Sequence, residues 1–366
     1  MQQMLAPDLS AFADVDTPAL LLDATALEAN IRRMADFFAR GPCRLRPHFK
    51  SHKCTTIARM QMEAGAVGIT CAKLGEAEVV ADAGIRNILI ANQIVGPVKI
   101  GRLMQLCARA NLIVAVDSAE NVAMLSAAAS AAHLTLGVLV EVDIGMHRCG
   151  VAPGRAALDL AQRVASAPGI TFEGLQGYEG HCIDLRDAGE REEKARQAMK
   201  LLVDTRRLIE ASGLRVKLVS GGGTGTYDIT GVCDGVDELQ AGSYAAMDWF
   251  YGDIRPEFQQ AMSILATVIS RPSPDWVVID VGRKGIGAEW GPPRVENVPG
   301  ATVASYSSEE HLKIAVPPDS ALRIGDRLEI IPSHGCTTSN LYSEFVVHRA
   351  GRPTARWPIE GHGRLQ

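Results

Sequence analysis

Aromatic side chains are scarce in this chain of 366 residues: Phe, Trp and Tyr together make up 5%. That is too few for a lectin-like all-β surface or for a platform that stacks nucleobases. Positive charge is not in excess either. Lys and Arg number 37 against 42 Asp and Glu, a formal charge of −5, which argues against a nucleic-acid or anionic-membrane surface. There are 8 cysteines but no CxxC pair, and the dense spacing of a small secreted disulfide scaffold is missing. Reduced, mostly buried thiols are expected, as in a cytoplasmic protein. The opening residues show no basic stretch followed by an apolar run, so no signal peptide is expected. No run reaches the roughly 18 apolar residues of a membrane-spanning helix. Internal repeats and low-complexity tracts are absent from the sequence as well.

What the chain does have is an apolar content of 47% and 35 glycines. The first suffices for a large core. The second signals tight turns and close backbone approaches. Short β-branched runs alternate with longer stretches of helical spacing. Strands are expected at 43–49, 67–72, 87–91, 112–117, 135–143, 171–177, 217–220 and 238–241. Helical stretches such as 25–40, 74–83, 121–132 and 189–212 lie between them. This alternation predicts an α/β fold, a (β/α)8 TIM-type barrel over residues 17–253. A doubly wound sheet is the rival, but it normally carries GxGxxG after its first strand. Here Arg46-Pro47-His48-Phe49-Lys50 stands at that place. Beyond Asp253 the helical patterning fades. Strand-like runs at 263–269, 276–281, 311–314, 327–331 and 344–348, punctuated by Pro and Gly, predict a C-terminal mostly-β domain over 254–366. Residues 1–16 are expected to pack on that domain.

In such a barrel, functional groups gather at the C-terminal ends of the strands. Those ends carry Lys50, Gln93, Arg148, Tyr178 with His181, the run Gly221–Thr226, and Gly242-Ser243-Tyr244. A lysine closing an apolar strand faces the mouth of the barrel. Burial there lowers its pKa and frees the amine to form a Schiff base; a solvated strand-end lysine is the plainer alternative. The run Ser220-Gly221-Gly222-Gly223-Thr224-Gly225-Thr226 follows a strand and precedes a helix-like segment, so its N–H groups can converge on a phosphate. An ordinary flexible loop is the alternative. The run lacks the Lys-Ser/Thr ending of a nucleotide-binding P-loop. The loops after strands seven and eight are where many barrels hold a phosphate. A Schiff-base lysine on strand one and a cradle at strands seven and eight would together hold pyridoxal 5′-phosphate. Late in the chain stands His334-Gly335-Cys336. In extended chain, residues two apart share a face and can ligate one divalent metal, with imidazole and thiolate favouring zinc over magnesium. A turn histidine beside a buried cysteine is the alternative.

Together these segments resemble a known family. Lys50 within Pro47-His48-Phe49-Lys50-Ser51-His52-Lys53, Gly145-Met146-His147-Arg148-Cys149-Gly150, Gly177-Tyr178-Glu179-Gly180-His181, the Gly223-Thr224-Gly225-Thr226 loop and His334-Gly335-Cys336 are similar to the D-threonine aldolase and D-serine dehydratase-like family. That family belongs to the alanine-racemase-like, fold-type III pyridoxal-phosphate enzymes. The resemblance runs from Thr17-Pro18-Ala19-Leu20 to the His-x-Cys motif. It implies a barrel followed by a β domain, and a homodimer. It implies Lys50 as the Schiff-base lysine, Arg148 as a contact of the cofactor's phenolic oxygen, and Tyr178 and His181 along the ring. Gly222, Gly223, Thr224, Gly242, Ser243 and Tyr244 would surround the phosphate. Gln93 would reach cofactor or substrate. His334 and Cys336 would hold a divalent metal, Zn, Mn or Mg.

The expected function is a lyase that cleaves β-hydroxy-D-amino acids to glycine and an aldehyde. The alternative is a dehydratase that turns D-serine or D-3-hydroxyaspartate into a keto acid and ammonia. Two signals conflict. Aldolases of the group usually carry His-x-Asp, and the dehydratase branch carries His-x-Cys, as here. Ala91-Asn92-Gln93-Ile94-Val95-Gly96-Pro97 and the Gly-Thr-Gly-Thr loop instead resemble the 3-hydroxy-D-aspartate aldolase branch. For elimination, Lys50 is the expected base at Cα. For cleavage, a water on the metal or His181 would take the hydroxyl proton. A racemase would need a second base opposite Lys50 and no metal motif. A cofactor-binding protein without catalysis would need neither that motif nor a second domain.

Overall fold

The computed structural model describes residues 9–183 and 185–366, so the expected packing of the N-terminal segment is described from Leu9 onward. The chain divides into two compact units, one of residues 34–50, 55–242 and 364–366, the other of 9–33, 51–54 and 243–363.

The first unit is built on eight parallel strands: β1 (Arg44–Leu45), β2 (Ile69–Cys71), β3 (Asn87–Gln93), β4 (Asn111–Val116), β5 (Leu136–Glu141), β6 (Ile170–Gly177), β7 (Leu218–Gly221) and β8 (Glu238–Leu239). From β2 onward each pairs with the next, and β8 pairs with β1. A bridge between His48 and Thr70, with Thr70 N–H donating to Pro47 O at 2.8 Å, joins β1 to β2 and closes the ring. These runs read as continuous apolar segments because both faces of a barrel strand are covered; Val138, Leu139 and Val140 of β5 are all fully buried. The helices supply the outer cover. Helix Arg155–Ser166 buries Ala157, Leu158, Leu160, Ala161 and Val164 and leaves its charged residues outside. Helix Ala188–Ala211 starts at Asp187, whose side chain accepts the Glu190 N–H at 2.8 Å.

The second unit is a mostly antiparallel sheet. Its central strand, Met262–Ser273, pairs with Ala19–Asp23, Trp276–Ile279 and Arg327–Ile331. Leu312–Ala315 extends it beyond Trp276–Ile279, and Glu344–Arg349 followed by Arg352–Pro358 extends it beyond Ala19–Asp23. Leu9, Phe12 and Val15 pack with Ala19, Leu21, Leu265 and Val346 in one apolar cluster. Residues 9–33 are thus grouped with the sheet, whereas the sequence pattern starts the barrel at 17. The reason is local: Ala19–Leu22 form a buried strand that hydrogen-bonds Met262–Leu265.

All eight cysteines are free. Cys43, Cys54, Cys71 and Cys182 are buried, Cys107, Cys233 and Cys336 half-buried, and Cys149 exposed. Among the described residues, no helix is long and apolar enough to cross a membrane.

Candidate active site

Lys50 follows β1 in a single 3-10 turn, Phe49–Ser51. Its side chain is half-buried and makes no hydrogen bond or ion pair among the described residues. A strand-end amine without a competing carboxylate is open to condensation with an aldehyde.

The ends of β3, β5 and β6 contribute a connected set. Gln93 Nε2 donates to Glu141 Oε2 at 2.5 Å. Burial pushes the Glu141 carboxyl above its ordinary pKa, opposed by that bond and by the charge of Arg148. Arg148 sits on a loop folded around Asp143, which accepts the N–H groups of Gly145 and His147, both at 3.0 Å. The Arg148 guanidinium lies 6.0 Å from the centroid of the Tyr178 ring, at the edge of cation–π range. His181 is exposed, and its ring lies against Gly145: a Cβ at 145 would meet His181 Cε1 at 2.9 Å. Through these contacts the structure links Gln93, Arg148, Tyr178 and His181.

The glycine run after β7 is buried throughout. Gly222 has φ +73, and a Cβ there would stand 2.7 Å from Leu239 Cδ1. Both facts demand glycine. The N–H of Gly222 is already used, donating to Glu179 Oε2 at 3.2 Å. The N–H of Gly223 has no hydrogen-bond partner among the described residues. A buried backbone donor left over in a glycine loop is what an anion would satisfy. Downstream, the turn Thr224–Thr226 leads into a helix of only four residues, Tyr227–Thr230. That is too short to build a substantial dipole, so the cradle rests on single N–H groups. Gly242, just beyond β8, is buried as well. The unpartnered amine and the unpartnered N–H fit an aldehyde that carries a phosphate, as pyridoxal phosphate does.

In the second unit, the late motif adopts a different geometry from the extended strand its spacing suggested. His334 is extended, with φ −138 and ψ 112, but Gly335–Ser339 form a helical turn. The His334 and Cys336 side chains nonetheless interact. Burial alone would lower the His334 pKa; the interaction with Cys336, with Asp248 and Glu289 nearby, carries it up to about 9. Nδ1 is buried and lies 3.4 Å from Glu289 Oε2 without the alignment of a hydrogen bond. The Cys336 thiol lies 3.4 Å from Ser51 Oγ and 3.7 Å from Ser243 Oγ. Asp248 anchors the turn by accepting the Gly335 N–H at 2.8 Å; burial pushes its carboxyl up to about 6, against the two N–H bonds it accepts. Imidazole and thiol side by side fit a soft divalent metal. Among the described residues no cluster of at least three His, Cys, Asp or Glu donors is present. Water and substrate would fill the rest of the shell. Tyr244 is fully enclosed, its ring 5.9 Å from that of Phe258.

Two family profiles match successive stretches of the chain. The alanine racemase N-terminal domain profile matches residues 22–248, and a putative serine dehydratase domain profile matches 261–348. D-threonine aldolase of Arthrobacter sp is 41% identical over 355 residues, 96% of this chain and 94% of that protein. The chain belongs to the D-threonine aldolase and D-serine dehydratase-like family. A 3-hydroxy-D-aspartate aldolase of Paracoccus denitrificans (strain Pd 1222) is 36% identical over 96% of this chain and 93% of its own length. The crystal structure of D-threonine aldolase from Filomicrobium marinum superposes with a TM-score of 0.93 at 42% identity, covering 97% of this chain and 98% of that one. The family's fold, an alanine-racemase-like barrel and a separate mostly-β domain, is the fold described above. The relatives this chain matches include aldolases and a dehydratase, all lyases.

Sequence reasoning missed several functional neighbours. Glu141, Asp143, Glu179, Asp248 and Ser51 each hold a predicted site residue or its loop. For Glu179 a signal existed, since it sits inside Tyr178-Glu179-Gly180-His181. Ser51 likewise lies inside Pro47-His48-Phe49-Lys50-Ser51-His52-Lys53, and Glu141, Asp143 and Asp248 belong to no motif.

Proposed function

We propose that this protein is a pyridoxal 5′-phosphate- and divalent-metal-dependent lyase that cleaves β-hydroxy-D-amino acids to glycine and an aldehyde. The observation that carries this reading is the Lys50 amine, half-buried at a strand end and without a partner among the described residues, in a chain whose aldolase relatives match it nearly end to end.

Lys50 would hold the cofactor through its aldehyde. Gly223 and Thr224, with Gly222, Gly242, Ser243 and Tyr244 shaping the surrounding backbone, would hold the phosphate. Arg148 and Tyr178 would face the ring, the guanidinium beside its phenolic oxygen, and Gln93 would orient cofactor or substrate. Pyridoxal phosphate, when bound, supplies an electron sink for the bonds at the substrate's Cα. A divalent cation on His334 and Cys336 supplies Lewis acidity toward a hydroxyl oxygen. In cleavage, His181 accepts the proton of the β-hydroxyl. In elimination, Lys50 accepts the proton from Cα.

The second reading, a dehydratase acting on D-serine or D-3-hydroxyaspartate, draws on Cys336 as the sulfur donor and on the serine dehydratase profile over 261–348. One experiment separates the two. The enzyme is given D-threonine, D-serine and D-3-hydroxyaspartate, with and without added metal, and the products are identified. Glycine with an aldehyde supports cleavage. Keto acid with ammonia supports elimination. Exchange between D- and L-alanine, with neither product set, would indicate a racemase. A cytoplasmic homodimer accompanies the proposal; sedimentation at twice the 39.1 kDa chain mass would support the dimer.

A further inference from the structure

Behind the glycine run lies a carboxylate to which the functional reading gives no task. Glu179 follows Tyr178 at the end of β6 and is fully enclosed. Its Oε1 accepts the hydroxyls of Thr226 and Thr230, each at 2.5 Å, and its Oε2 accepts the N–H of Gly222 at 3.2 Å. Both threonines are themselves fully buried. No lysine or arginine pairs with this carboxylate among the described residues. Burying a carboxylate without a cation is unfavourable unless strong donors surround it. Placing one next to a loop meant for a dianion adds repulsion. Electrostatics therefore gives no reason for a glutamate here, whereas geometry does. One side chain ties the start of the loop at Gly222, the 3-10 turn at Thr226 and the short helix at Thr230.

We propose that Glu179 is the positioning residue of the phosphate loop. It takes up the donors on the inner side of the segment 222–230 and so fixes the backbone that leaves the Gly223 N–H to the phosphate. The inference rests on the pyridoxal-phosphate reading above and deepens it.

The test uses full-length protein stripped of cofactor and titrated with pyridoxal phosphate and with pyridoxal, which lacks the phosphate. In Glu179→Gln the amide keeps one acceptor oxygen. With that oxygen on the threonine pair, its NH2 faces the Gly222 N–H, donor against donor. Affinity for pyridoxal phosphate should fall at least about tenfold, with affinity for pyridoxal unchanged. Removing a negative charge near the site would by itself tighten binding of the phosphate compound, so the two explanations predict opposite signs. Equal or tighter binding of pyridoxal phosphate by Glu179→Gln overturns the proposal, and so does an equal loss for both ligands. Should Glu179→Gln fail to fold, Thr230→Val, which deletes one hydroxyl at nearly constant shape, decides by the same ratio of affinities. Wild-type protein that binds no pyridoxal phosphate at all would overturn the functional reading, and this inference with it. Wild-type binding with an unaltered Glu179→Gln overturns the inference alone.

Discussion

Lys50 shows how far a single residue can be read. Its place at the end of the first barrel strand was legible from the apolar run before it, because strand ends carry barrel chemistry whatever the loop detail. Its lack of a partner was not legible, since any of the 42 acidic residues might have paired with it. Lys50→Ala should lose the visible absorbance of bound pyridoxal phosphate and lower turnover by about 10³-fold or more. Full turnover in that variant would refute the assignment. Gly222 makes a second test at this scale. Its positive φ and the nearby Leu239 side chain should make Gly222→Ala destabilising by about 1–3 kcal/mol, read from the denaturation midpoint. Asp143 was not legible as a site residue, and Glu179 was marked only by the motif around it. A glutamate or aspartate in isolation reads as solvent-facing, and only the converging donors reveal its task.

At the scale of elements, hydrophobic alternation located all eight barrel strands, because a run covered on both faces has no polar gaps to blur it. It did less well on lengths. The expected strand 43–49 pairs regularly only over Arg44–Leu45, and single contacts carry it on to His48. The helix expected after the glycine run is four residues long. Ala19–Asp23 fell inside the expected barrel range of 17–253 and forms a strand of the sheet. Its five residues have no periodicity that distinguishes one destination from another. The barrel strands are also clamped by polar groups. Arg46 and Glu238 form a buried two-pronged pair at 2.7 and 2.8 Å, and Arg46 Nη1 donates to Asn87 Oδ1 at 2.9 Å. This ties β1, β8 and β3 together. Glu238→Ala would leave the guanidinium buried without its counter-charge and should cost about 3–5 kcal/mol. Urea unfolding measures it, and a change under about 0.5 kcal/mol, as at an exposed site, would show that the pair does not clamp the barrel.

At the scale of the whole molecule, the candidate site residues divide between the two units. The barrel unit holds Lys50 and the glycine loop, and the sheet unit holds His334 and Cys336. Exhaustive chelation should therefore abolish lyase turnover while the absorbance of bound pyridoxal phosphate persists. Turnover that survived chelation would remove His334 and Cys336 from the mechanism. Cys336→Ala should lower metal affinity by about 10-fold or more, measured as bound metal per chain.

By itself, the sequence determined the class of fold, the order of its strands and the family. Those depend on periodicity and on short motifs, which are properties of neighbours along the chain. Tertiary structure alone decided which donors remain unpaired, which carboxylates hold the loops, and that the first strand belongs to the sheet. Those depend on groups up to hundreds of residues apart, such as Leu21 beside Val346 or Arg46 beside Glu238. No local pattern encodes such pairings, because burial and hydrogen bonding are settled only when the distant partner arrives.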